Sequence, residues 1–282
     1  MTAASVALFP LLAGPRRTTR VLGIVTGAVY LQIDPMPAAE ASDHKDHPGA
    51  VVALLDRDAV QLPFGIVLPE AAAGFIPVSV AGAPVSQGEI TVGWGSIQVA
   101  EHRWPVLRWW NPGVPKLTLP TDPLSIRSNR IEDVDFALPA VPDEVTEGLA
   151  ALAAGEVERA VRLLIGAGPG LTPAGDDVLC GALAALAAWV PDSAARRDLA
   201  QLVIDAVGGT TAISAALLNS AVAGCVVPQL GRLLTAISTG GSEDFDQAVR
   251  ELSQVGASSG AAMAAGAVHQ YRLLTRIARR AA

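Results

Sequence analysis

The chain has 282 residues and a formal net charge of -7, with 51% hydrophobic but only 4% aromatic residues. Such a chain is long enough for a sizeable core in one or two domains, built mainly from Ala, Leu and Val. The acidic balance excludes a nucleic-acid-binding surface, which needs a basic face. Of the 20 basic residues only Lys45 and Lys116 are lysines, and the arginine pairs 16–17, 196–197 and 279–280 are scattered as solvated surface would be.

The opening segment, Met1 to Gly14, is apolar before Arg16-Arg17, the reverse of a signal peptide's charge order. From Val21 to about Trp110 the pattern predicts short strands at 21–25, 28–33, 51–55, 65–68 and 90–92, punctuated by Gly, Pro and Asp. An antiparallel or barrel-like β-rich domain over residues 1–115 is expected. Within it, Ala41-Ser-Asp-His-Lys-Asp-His-Pro48 reads as an exposed turn; His44 and His47 show no third ligand that would make a metal site. Trp104, Trp109 and Trp110 cluster near the end of this region, where one ring is expected in the β core and another partly exposed. Four prolines between Pro112 and Pro123 mark a connector, placed at 116–141.

From Asp143 onward the chain reads as helical, so the fold class is α+β with an all-helical domain over 142–282. Pro142-Asp143-Glu144 starts one helix, and residues 155–165 have helical periodicity. Thr172-Pro173 reads as N-cap and first residue of a central apolar helix that stops at Pro191. Pro191-Asp192 caps a helix to about Val207, and the Thr210-Thr211 block opens one through Ala223. Ser242-Glu-Asp begins another ending near Val255, and Ser258 or Ser259 caps the last, to about Ile277. Gly208-Gly209 and Gly240-Gly241 fit helix C-terminal turns. No apolar run reaches the roughly 18 residues of a membrane helix. Cys180 and Cys225, in apolar surroundings and far apart, read as buried thiols of a cytoplasmic protein.

The chemistry concentrates in Ile165-Gly-Ala-Gly-Pro-Gly-Leu-Thr-Pro-Ala-Gly-Asp-Asp177. Gly166, Gly168 and Gly170 allow positive φ and close approach of a ligand to the main chain. Free amides at a helix start attract anions. Asp176 and Asp177 beside them would repel a bare phosphate, so the pair suits a bridging Mg²⁺ or a ligand that donates hydrogen bonds. The loop is neither a Walker loop, which needs Gly-Lys-Ser/Thr, nor a dinucleotide fingerprint, which needs a preceding strand. Two later blocks share its grammar of glycine, hydroxyl residues and a helix start: Thr210-Thr-Ala-Ile-Ser214 and Gly256-Ala-Ser-Ser-Gly260. The three turns are expected to converge on one pocket. Gly168, Gly170, Thr172, Thr211, Ser214, Ser258 and Ser259 would bind a small anionic metabolite there, with Asp176 and Asp177 at the wall. Three independent N-caps, each worth about 1 kcal/mol, are the plain alternative.

The run from Gly166 to Gly181 resembles the signature of the AllH-type subunit of oxamate carbamoyltransferase, approximately Gly-x-Gly-x-Gly-Leu-Thr-Pro-Ser-Gly-Asp-Asp-x-Leu-x-Gly. The Thr-Thr-x-x-Ser block and the Gly256–Gly260 block, with Gly266 after it, resemble two further family blocks. The chain departs by carrying Ala174 for a usual serine, Ala257 for a common histidine and Ala262 for a common aspartate. The resemblance implies carbamoyl transfer between oxalurate or oxamate and phosphate or carbamoyl phosphate, in purine nitrogen breakdown, together with other subunits of a complex. It implies a catalytic role for Asp176 and Asp177. Two other functions compete: a non-catalytic anion-binding assembly or regulatory subunit, and a Mg²⁺-dependent enzyme acting on a phosphorylated metabolite.

Overall fold

The computed structural model describes residues 1–34, 50–69, 90–119, 138, 141–239 and 242–281. The turn containing His44 and His47, most of the expected connector and Gly240-Gly241 lie outside the described residues. The chain divides into two compact units, Met1–Pro112 and Gly113–Ala282.

The first unit is a curled nine-stranded sheet. Its strands are β1 (Ala3–Ser5), β2 (Arg17–Val25), β3 (Ala28–Ile33), β4 (Val51–Leu55), β5 (Gly65–Val67), β6 (Ile90–Gly93), β7 (Ser96–Val99), β8 (His102–Pro105) and β9 (Arg108–Trp110). Their order is β8-β7-β6-β2-β3-β4-β5-β1-β9. The runs expected to be strands are strands, because alternation in β3 (Val29, Leu31 and Ile33 inward) and the apolar run of β4 each bury a face. All five residues of β4 are buried, as befits the middle of a sheet covered on both sides. The pairing is mixed rather than purely antiparallel, since β4 and β5 run parallel, as do β1 and β9. Strands β1, β7, β8 and β9 and the short helix α1 (Phe9–Ala13) carry no clear period and were not anticipated. Of the tryptophans, Trp109 is part-exposed and tilts against Phe9 at 5.5 Å, and Trp104 stacks on His102 at 6.0 Å.

The second unit is helical: α2 (Asp143–Ala154), α3 (Val157–Leu164), α4 (Ala174–Trp189), α5 (Ala194–Ala206), α6 (Ala212–Val222), α7 (Pro228–Thr239), α8 (Ser242–Ser253) and α9 (Ser259–Ala281). Its leading segment belongs with the helices: the Val114 and Leu117 N–H groups donate to the carbonyls of Gly224 and Ala188. Several boundaries shift from expectation. Helix α4 starts at Ala174 with Pro173, not Thr172, as N-cap. The Ser193 hydroxyl, not Asp192, caps α5 by accepting the Arg196 N–H. Gly208 and Gly209 form one 3₁₀ turn with neither φ positive. Helix α7 was not anticipated, and α9 runs past Ile277 to Ala281.

All sixteen residues of α4 are buried, so it is the axis of the unit. It crosses α9 with backbones in contact. A Cβ on Gly181 would stand 2.0 Å from the Met263 carbonyl oxygen, and one on Gly266 would stand 2.0 Å from that of Val178. The glycines of the motif therefore have a packing role that periodicity does not disclose. Beyond the crossing, Trp189 tilts against Tyr271 at 4.8 Å. Cys180 is buried in α4, whereas Cys225 is half-exposed, against expectation; both are free thiols. Among the described residues no helix is long and apolar enough to cross a membrane.

Alanine is a better helix former than glycine by about 1 kcal/mol, yet Gly181→Ala and Gly266→Ala should each destabilise the protein by about 1–3 kcal/mol or more through overpacking. Urea unfolding reads the sign, and a stabilised variant would mean that the two helices are not in backbone contact.

Candidate functional site

The glycine loop connects α3 to α4, and its shape follows from three positive-φ residues: Gly166 at 68°, Gly168 at 119° and Gly170 at 97°. At Gly166 only glycine fits, because a Cβ would lie 2.6 Å from the Gly209 carbonyl oxygen. Gly175 is equally constrained, its missing side chain leaving room for the Leu164 carbonyl 2.1 Å from where a Cβ would stand. The start of α4 is thus pressed onto the end of α3, and the Gly175 N–H donates to the Ala167 carbonyl at 2.9 Å. Pro169, Gly170 and Leu171 form the exposed crest of the loop. Among the described residues the N–H groups of Gly168 and Gly170 have no hydrogen-bond partner.

Asp176 is wholly buried, and both of its oxygens are engaged. One accepts the Gly166 N–H at 2.8 Å; the other accepts the hydroxyls of Thr210 at 2.5 Å and Ser214 at 2.6 Å. Charge-assisted bonds of this kind are the strong ones. They pin the first glycine of the loop and the start of α6 to the first turn of α4. Thr211 completes the join: as N-cap of α6 it accepts the Ser214 N–H, and its own hydroxyl donates to the Leu171 carbonyl at 2.5 Å.

The third turn joins through Thr172. Its hydroxyl is not a helix cap but lies 3.0 Å from the Ser259 hydroxyl at the start of α9. Ser258 contributes its carbonyl, which accepts the Ala262 N–H, so Ser259 rather than Ser258 faces the loop. All three glycine–hydroxyl turns therefore meet. Thr210, absent from the expected site residues, is the addition: the pairing with Asp176 needs α6 to fold back, and nothing in local spacing announces it.

Asp177 differs from its neighbour in its hydrogen bonding. It too is wholly buried, yet among the described residues neither of its oxygens has a hydrogen-bond partner. Burial pushes its carboxyl up to about 8, and the Asp176 charge adds to the rise. The nearby Ser259 hydroxyl pulls the other way without meeting hydrogen-bond geometry. The Cys180 thiol, one turn on, is also raised, first by burial and then by the two aspartates. Buried polar groups are rarely left unpaired, and perturbed carboxyls in such surroundings mark candidate functional sites.

Among the described residues no group of three or more His, Cys, Asp or Glu side chains converges to hold a metal ion. With Asp176 saturated by three donors, a cation at Asp177 would draw its other ligands from hydroxyls, carbonyls or water. Of the departures from the family pattern, Ala174 and Ala262 are buried, whereas Ala257 sits on an exposed turn.

Residues 164–271 match the family AllH, oxamate carbamoyltransferase subunit AllH. The AllH match starts at the last residue of α3 and ends within α9, so it spans all three converging turns and both aspartates. No curated protein and no solved structure matches the chain.

Two measurements separate the aspartates. Asp176→Ala strands three donors, Ser214 buried and Gly166 and Thr210 part-buried, and should cost about 3 kcal/mol or more in chemical denaturation. Asp177 acts through pH. Its folded value lies above the roughly 3.9 of an unfolded aspartate, so the native state keeps a proton that the unfolded chain loses. Its contribution is complete below about pH 4 and is lost as pH rises to about 8. Asp177→Asn should flatten that decline, raising stability relative to the parent at pH 8; an unchanged slope would refute the assignment.

Proposed function

We propose that this chain is a subunit of an oxamate carbamoyltransferase-like enzyme, working with other subunits of a complex. The observation that carries the reading is the buried carboxyl of Asp177, without a hydrogen-bond partner among the described residues, in the same AllH-matching segment as the free amides of Gly168 and Gly170. A carbamoyl substrate offers the complementary pair of ends. Its phosphate or carboxylate suits the N–H groups of Gly168 and Gly170, and its amide suits Asp177. Thr172, Thr211, Ser214 and Ser259 shape the turns around it, and Asp176 holds them in register. Ser258 lies beside this group, at the first turn of α9.

In the reaction, an oxygen of phosphate forms a bond to the carbamoyl carbon of oxalurate. The bond from that carbon to the oxamate nitrogen breaks, and the proton that phosphate gives up ends on that nitrogen. Carbamoyl phosphate and oxamate result, and the reverse direction uses the same steps. Charge developing on the carbamoyl oxygen is stabilised by donors already fixed in place, the largest single contribution to such acyl transfers. The converging turns carry no histidine, so the site supports positioning and charge stabilisation rather than histidine base chemistry.

A non-catalytic, anion-binding role beside a catalytic partner is the second reading. The buried apolar Ala262 and the full engagement of Asp176 in hydrogen bonds favour it. Phosphate-dependent cleavage of oxalurate by the purified chain, alone and with its partner subunits, separates the two. Activity of the chain alone eliminates the assembly reading. Asp177→Ala should weaken ligand binding at least tenfold, about 1.4 kcal/mol. Unaltered affinity and activity of the Asp177→Ala complex would sink the assignment.

A further inference from the structure

The first unit lies outside the segment that matches AllH, and it gathers exposed apolar side chains and arginines on adjoining segments. Val6, Phe9, Trp94, Leu107 and Trp109 are all exposed there, Trp94 by 62%. Backbone bonds hold their segments side by side. The Gly95 N–H donates to the Leu12 carbonyl in α1, and the Gly95 carbonyl accepts the Val106 N–H at 2.8 Å. The Leu107 N–H donates to the carbonyl of Thr2, just before β1, the strand that pairs with β9. The Phe9 and Trp109 rings meet at 5.5 Å. Residues 1–16, 93–96 and 102–112 contain Arg16, Arg103 and Arg108 but neither Asp nor Glu, in a chain of net charge -7. Among the described residues none of these arginines meets a carboxylate. Arg16 donates to the Gln98 side chain, and Arg103 donates to the Ser96 hydroxyl and the Trp94 carbonyl.

Trp94 is held in a conformation that its side chain disfavours. With Gly95 it forms the two-residue turn between β6 and β7, where Gly93 stands opposite Ser96. Both turn residues have positive φ, 49° and 66°. Such turns favour Asn-Gly, because a bulky side chain is strained there. The surroundings impose the strain. The Trp94 N–H donates to the Gly14 carbonyl at 2.9 Å, its carbonyl accepts from Arg103 at 3.2 Å, and the Arg16 guanidinium lies 5.3 Å from the ring centroid. Strain kept at an exposed position points to function. Trp and Arg side chains fixed before contact are the ones that dominate protein interfaces. We propose that another subunit of the complex docks on this face, presenting apolar side chains rimmed by carboxylates. The proposal rests on the multi-subunit part of the carbamoyltransferase reading. A second copy docked through the same face about a twofold axis would set the arginines of one copy against those of the other. Three arginines and no lysine among apolar side chains suit a protein surface rather than a polyanion, which needs a broad basic face.

The test uses the full chain, tagged and co-expressed with its partner subunits, followed by affinity measurements on the purified components. The parent chain should co-purify with those subunits, and its affinity should fall as salt rises. Trp94→Asn suits the turn, so its melting temperature should hold or rise while its affinity for the partner subunits falls about tenfold or more. Arg108→Glu alters an exposed side chain, and it should weaken association comparably and flatten the salt dependence. Parent-like affinity in either variant overturns this inference and leaves the carbamoyltransferase reading standing. A parent chain that never associates with those subunits overturns the multi-subunit reading together with it. Dimerisation of the chain alone that Trp94→Asn abolishes would give the face to a second copy. Binding of phosphatidylserine vesicles or single-stranded RNA that Arg108→Glu abolishes would give it to a polyanion. Either result refutes the docking of a subunit here.

Discussion

A carboxylate taken out of water must be surrounded by donors, and at Asp176 this requirement ties the glycine loop and the start of α6 to the first turn of α4. Its three donors come from the loop after α3, from the residue before the N-cap of α6 and from the first turn of α6. Gly166 is far in sequence from Thr210 and Ser214. Stranding one buried charge would cost several kcal/mol, so the loop and α6 have little freedom to sit anywhere else. One side chain thereby fixes the backbone beside its neighbour, whose oxygens have no hydrogen-bond partner among the described residues.

Close helix packing makes that arrangement affordable in space. Gly175 admits the end of α3, and Gly181 and Gly266 let α4 and α9 touch. The start of α9 then lies where Ser259 reaches Thr172. At these three positions the glycines are contact surfaces between backbones. Gly168 and Gly170 differ: their positive φ values shape a loop whose crest is open, and no neighbour presses on Gly170.

The adjacent aspartates show how far position alone separates identical side chains. Asp176 is saturated with donors, whereas Asp177, one residue on and 100° around the helix, has no hydrogen-bond partner among the described residues, and burial pushes its carboxyl up to about 8. The sequence treats them as a pair suited to one metal ion or one ligand. In the folded chain only Asp176 is tied into a hydrogen-bond network among the described residues.

Much of the architecture was legible from local pattern. Alternation gave β3, the uninterrupted apolar run gave β4, and the acidic first turn after Pro142 gave α2, because each buries a periodic face. Strands β1, β7, β8 and β9 were not legible, since three- and four-residue strands owe their existence to neighbours rather than to a period of their own. The three glycine–hydroxyl turns, their residues and the presence of the carboxylate pair were likewise written in the chain. Tertiary structure alone decided that Thr210 joins the site, that Thr172 meets Ser259 instead of capping a helix, and that Asp176 and Asp177 part company. Hydrogen bonds between residues dozens of positions apart depend on which helix starts are brought together, and no local spacing encodes that.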